Sequence, residues 1–126
     1  MIVFDAVILN TDRHYGNFGF LVDSRTNRIV APAPLFDHGN SLLNYAAQDA
    51  LTDVKSIRKY ANTLQPRVYD DFIADAKPLL THEHRNGLRK LLDFRFKRHR
   101  RYNLPKERLT LIESVVHEQA RKLLDS

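Results

Sequence analysis

Apolar and polar residues divide the chain into a short mixed N-terminal third and a long helical remainder. Residues 2–9 are nearly all apolar, a run that by itself fits a buried helix or a buried strand. Residues 18–22 (Phe-Gly-Phe-Leu-Val) predict a strand, and Asp23 to Asn27 form a turn cluster. Residues 28–31 (Arg-Ile-Val-Ala) predict the returning strand, ended by Pro32 and Pro34, which lack a backbone donor. From about residue 50 the spacing turns helical. Leu51 to Tyr60 predicts a weak helix, and Val68, Phe72, Ile73 and Ala76 mark a second that Pro78 should close. Thr81 is a good N-cap for a third, with Leu88, Leu91 and Leu92 as its apolar face. Pro105 suits a first helical turn, and Leu109, Ile112, Val116, Ala120 and Leu123 then form one stripe to the C-terminus. The expected fold is mostly α (α+β), with one small β-hairpin near the N-terminus.

Composition narrows the class. The 126 residues predict a single domain, 1–126, long enough to bury a core without disulfides. Hydrophobic residues at 43% and charged residues at 28% mark a globular chain rather than a disordered one. No apolar run approaches the roughly 18–20 residues of a membrane span, so no membrane partner is expected. The N-terminal apolar run carries Asp5 and lacks a basic flank, unlike a signal peptide. With no cysteine, disulfide and thiolate chemistry are excluded and a cytoplasmic location is the expectation. The net charge of +5 favours acidic partners, and part of the excess is crowded into Arg95–Arg101.

The candidate chemistry lies around the predicted hairpin. Before it stands Asn10-Thr11-Asp12-Arg13-His14-Tyr15-Gly16-Asn17, and after it Leu35-Phe36-Asp37-His38-Gly39. Asp12 and Asn17 have the spacing of Asp and Asn in a kinase catalytic loop, and Asp37-x-Gly39 matches a kinase metal-binding Asp-x-Gly. Phosphoryl transfer uses a carboxylate to orient the acceptor hydroxyl and oxygen ligands to hold Mg2+. Asp12 suits the first role. Asn17 and Asp37 suit the second, because Mg2+ takes few protein ligands, all oxygen, beside nucleotide phosphates. Pairing of the hairpin should bring Asn17 and Asp37 together.

These two segments resemble the C-terminal lobe of HipA-like serine/threonine kinases, convincingly over residues 3–45. The Asp-Arg-His-x-x-Asn portion is also similar to the catalytic loop of phosphatidylinositol 3- and 4-kinases. The resemblance implies a kinase-like C-lobe, helical apart from the active-site hairpin, and makes residues 2–9 the helix before the catalytic loop. It implies ATP and Mg2+ as cofactors and a serine or threonine hydroxyl of a protein as acceptor. It gives Asp12 the catalytic role and Asn17 and Asp37 the metal roles. It also implies a bacterial toxin–antitoxin setting, with an antitoxin or a separate N-lobe as partner. Only eleven residues precede Asp12, and they hold neither a lysine nor a glycine for a phosphate-covering loop. The chain alone is therefore expected to be a poor kinase, with part of Ile2–Leu9 or Leu42–Tyr45 left bare.

Three further readings attach to particular residues. Asp12-x-His14 and Asp37-His38 offer carboxylate and imidazole to a transition metal, which would make a metal-dependent hydrolase if both histidines faced one ion. In the kinase reading His14 holds backbone or neighbours the phosphate, and Arg13 does likewise or partners a buried carboxylate. The Arg95–Arg101 run reads as a solvated helix end, a nucleic-acid contact or a docking point for a protein. A non-catalytic binding module built on a truncated kinase lobe is the alternative outside enzymes.

Overall fold

The computed structural model describes residues 1–125 and has an α+β fold: five α-helices and one two-stranded antiparallel hairpin. Helix α1 (Ile2–Ile8) leads into the hairpin strands β1 (Phe20–Asp23) and β2 (Arg28–Pro32). Helices α2 (Val54–Ala61), α3 (Phe72–Ala76), α4 (His82–Leu91) and α5 (Lys106–Leu124) follow, with a 3-10 turn at Lys77–Leu79.

The long C-terminal helix organises the body. One face of α5 buries Ile112, Val116, Ala120 and Leu123, and α1, α2, α3 and α4 all pack against that helix. The five-residue stripe expected from the sequence is this face, although Leu109 is only half-buried. Val3, Ala6 and Val7 of α1 enter the same core, as do Ile57, Phe72 and Leu88. The ambiguous run 2–9 is thus helical, and Leu9 caps it in the left-handed conformation, φ 51°.

Helix boundaries follow the caps rather than the apolar spacing. Asp53 accepts the Ser56 N–H, so α2 begins at Val54 and not at Leu51. Asp71 accepts the N–H groups of Ile73 and Ala74, so α3 begins at Phe72 and leaves Val68 outside. That helix ends at Ala76, two residues before Pro78, as expected, and the chain tightens there into the 3-10 turn, whose opening positions tolerate a proline. Thr81 caps α4 as expected, and His84 completes the capping box by accepting the Thr81 N–H. Pro105 sits one residue earlier than expected, as the cap of α5.

The hairpin stands apart from this body. Leu21 pairs with Ala31 and Val22 with Ile29, which leaves Val30 as the extra residue of a bulge. Ile29 and Val30 are 65% and 63% exposed, and Phe20, Leu21 and Val22 are exposed too. A continuous run of bare apolar surface therefore lies here, with further exposed apolar residues such as Leu35 and Phe36 just beyond the strands. Of the segments expected to be bare, Ile2–Leu9 exposes Phe4 and Leu42–Tyr45 exposes Tyr45, while Leu43 is buried. An open apolar groove of about 480 Å³ also runs between α1 and α4, lined by Phe4, Leu35, Leu91, Phe94 and Val116.

Candidate functional site

The loops at the hairpin's open end are built on α1. Asn10 and Arg13 follow its C-terminus and are fully buried, as is Asp5 within it. Arg13 Nη2 lies 2.7 Å from Asp5 Oδ1 and Nε 2.9 Å from Oδ2, a two-pronged pair that fixes the guanidinium plane. Asn10 Nδ2 donates to the same Oδ1 at 3.2 Å, and Asn10 Oδ1 accepts the Asp12 N–H at 3.1 Å. The hydrogen bond with Asp5 raises the Arg13 pKa, outweighing the opposing effect of burial. The sequence reading of Arg13 as partner of a buried carboxylate is what the fold contains.

The same guanidinium joins the two loops. Arg13 Nη1 donates to Asn17 O at 2.8 Å and to Phe36 O at 3.0 Å, so the segments flanking the hairpin meet on one nitrogen. The strand ladder reaches toward this point, since the Ala33 N–H donates to Gly19 O at 2.9 Å. Beyond it, the loop after Asp37 is tied back to α1. Thr11 N–H donates to Asn40 O at 3.1 Å and Leu42 N–H to Ile8 O at 2.7 Å. Arg13 Nη2 also reaches His38 Nδ1 at 3.2 Å.

Asp12 and Asn17 have different surroundings. The Asp12 side chain is 43% exposed, and its Oδ1 accepts from Arg67 Nη1 at 2.7 Å across 55 residues of sequence. Asn17 is buried. Its Oδ1 accepts the His14 N–H at 3.0 Å and its Nδ2 donates to Asp12 O at 3.0 Å, closing the Asp12–Asn17 loop on itself. His14 holds backbone, as one reading expected: its Nδ1 accepts the Gly16 N–H at 3.0 Å. A Cβ at Gly16 would sit 2.9 Å from the His14 ring, so this turn favours glycine.

Asp37 is exposed, and its backbone is left-handed, φ 58°. Asp and Asn tolerate that conformation better than other side chains. Leu42 and Leu43, at φ 50° and 62°, are two more left-handed residues on the same loop, and there the conformation is a strain held by the ties to α1. Among the described residues the Asp37 carboxylate makes no hydrogen bond and no ion pair.

The donor set suits a hard cation only in part as it stands. Asp37 offers a charged oxygen directly. Asn17 Oδ1 keeps one lone-pair direction beside the His14 bond, approached by Arg13 Nη1 at a long 3.5 Å. Among the described residues no three His, Cys, Asp or Glu side chains gather into a metal cluster. His14 and His38 each have Nδ1 engaged within the protein, so a metal in the hydrolase reading would have to use their Nε2 atoms.

Sequence reasoning missed Asp5, Asn10 and Arg67. A lone aspartate inside an apolar helix was the available signal for Asp5, since a buried carboxylate needs a cation. Arg67 carried no signal, because only folding brings residue 67 to residue 12. Comparison with family models, with curated proteins and with solved structures found no match to this chain.

Proposed function

We propose that the Asp12–Gly39 region is the catalytic and metal-binding face of a kinase-like C-lobe, similar to that of HipA-like kinases. In this reading it uses ATP and Mg2+ to phosphorylate a protein hydroxyl, and it works together with an N-lobe. The observation that carries the reading is the Arg13 clamp. Asn17 and Phe36, the neighbour of Asp37, share one guanidinium nitrogen, and this closeness of the two sequence-distant motifs supports the reading.

Asp12, half-buried beside that clamp, would orient the acceptor hydroxyl and take its proton late in transfer. Asp37 would hold Mg2+ through its carboxylate, and Asn17 would add its amide oxygen. Bound Mg2+ supplies charge neutralisation for the phosphates. Residues 1–11 contain no lysine and no glycine, so they supply no phosphate-covering loop. Positioning and electrostatics dominate phosphoryl transfer, and an N-lobe's half of the cradle is worth on the order of 10³-fold or more in rate.

The test is calorimetric binding of ATP with and without Mg2+, followed by turnover with and without a candidate N-lobe. Asp37→Asn is the informative variant, because asparagine also tolerates φ near 58° but removes the charge. The reading expects Mg2+-dependent nucleotide binding that Asp37→Asn weakens at least tenfold. It expects Asp12→Ala to keep binding and lose turnover. Nucleotide binding indifferent to Mg2+ and to Asp37→Asn overturns it, and no nucleotide binding at all favours a non-catalytic binding module.

A further inference from the structure

We propose that the loop between α4 and α5, residues 95–104, is a docking surface for single-stranded nucleic acid. It contains Arg95, Lys97, Arg98, Arg100 and Arg101, and no acidic residue occurs between Asp93 and Glu107. The sequence allowed a solvated helix end here, but α4 ends at Leu91 and α5 begins at Lys106, so no helix dipole accounts for the charges.

The loop is built in two parts. The first is pinned to the body. Phe94 and Phe96 meet edge to face, 4.8 Å between ring centres, and both pack against the core. The Phe96 N–H donates to Glu113 Oε1 at 2.9 Å, and Arg95 lies 3.5 Å from Glu113 Oε2. The second part is a turn closed on itself. Asn103 Oδ1 accepts the His99 N–H at 2.8 Å and Asn103 Nδ2 donates back to His99 O. His99 Nδ1 accepts the N–H groups of Arg101 and Tyr102, each at 3.2 Å.

This turn holds its cations outward. Lys97, Arg98, Arg100 and Arg101 are all exposed, and among the described residues none of the four reaches a carboxylate. Four like charges in five residues repel one another, and a polyanion relieves that repulsion. The aromatic residue beside them decides which polyanion. The His99 ring stacks on Tyr102, centres 5.7 Å apart and planes at 16°, and Tyr102 is 78% exposed. With His99 on one side and this much of the ring exposed, Tyr102 keeps aromatic surface open to a ligand. A single strand supplies phosphates for the cations and unpaired bases for an aromatic face. A duplex hides its bases from such a face and is read by a helix or ribbon in a groove, which this loop lacks. An acidic peptide matches the charge but brings no planar base to Tyr102.

The test is fluorescence anisotropy of a labelled 12-residue oligothymidylate and oligouridylate with the full chain, with a labelled oligoglutamate of equal length as comparator. For four phosphate contacts on a single strand, log affinity should fall against log salt with a slope of about −3. R98S/R100S/R101S should weaken binding at least tenfold and flatten that slope, with an unchanged circular dichroism spectrum. Tyr102→Ala should weaken oligothymidylate binding by about tenfold at an unchanged slope, and Tyr102→Phe should restore it. No binding of either oligonucleotide at 50 mM salt, or binding indifferent to the triple substitution, overturns the proposal. Equal binding of oligoglutamate with no effect of Tyr102→Ala also overturns it, in favour of an acidic protein partner. The reading of Asp12, Asn17 and Asp37 is untouched by any of these outcomes.

Discussion

Arg13 and Asp5 face one another inside the protein, with Nη2 2.7 Å from Oδ1 and neither side chain exposed to solvent. One residue belongs to the first helix and the other to the loop that follows it. Through Arg13 this pair also holds Asn17 O, Phe36 O and His38. It is the central tie of the candidate site and a structural liability if broken.

Removing one member of the pair leaves the other charged and unmatched in the interior. Arg13→Met or Asp5→Asn should therefore cost about 3–5 kcal/mol of stability. The double substitution should cost less than the two single losses combined, because neither charge is then stranded. Urea unfolding of the three variants checks this. A loss below about 1 kcal/mol for both single variants would mean that the pair is not buried as described.

The second ion pair of the site should behave differently. Arg67 and Asp12 are 57% and 43% exposed. Solvent and salt screen such a pair, so Arg67→Ala should cost no more than about 1 kcal/mol, and less in high salt. Thermal unfolding at low and high salt measures it. The contrast with Arg13→Met separates the residue that builds the site from the one that lies across its mouth.

Tyr69 gives a pH-dependent expectation. Burial pushes its phenol pKa up, with Asp5 adding to the effect, and its hydroxyl has no hydrogen-bond partner among the described residues. The folded protein keeps this proton above pH about 10, where an unfolded tyrosine loses its own. Stability contributed by the protonated form is thus present below pH about 10 and declines as pH rises above it. Absorbance titration near 295 nm should show one of the five tyrosines ionising last, together with unfolding. Tyr69→Phe should remove that late step. Deleting an unpartnered buried hydroxyl should also leave stability unchanged or raise it by about 1 kcal/mol.

The hairpin should be the first element to open. A two-stranded hairpin is marginal by itself, and this one exposes apolar side chains along both strands. Amide hydrogen exchange over Phe20–Pro32 should be faster than over the buried face of α5 by at least tenfold. Equal protection of the two would show that something covers the hairpin in solution.

The order of events along the chain was legible before folding was considered. The turn cluster Asp23 to Asn27 between two apolar runs gave the hairpin, because a strand pair needs only local alternation and a turn. Thr81 gave the start of α4, and the stripe from Ile112 to Leu123 gave the core face of α5. The starts of α2 and α3 were misplaced because Asp53 and Asp71 capture backbone donors that apolar spacing does not reveal. The candidate residues Asp12, Asn17 and Asp37 were legible as a spacing, but their surroundings were not. Asn17 is buried and locked to His14 and Asp12, while Asp37 is open and left-handed.

By itself, then, the sequence determined an α+β chain, its hairpin and the two motifs on either side, since those depend on neighbours within a few residues. Only the tertiary structure decided that Arg13 would span three segments, that Arg67 would reach Asp12, and that the Lys97–Arg101 cations would stand clear of every carboxylate among the described residues. Contacts of that kind join residues far apart in sequence. Their partners are chosen by how the helices pack on α5, and no local pattern of residue types encodes that choice.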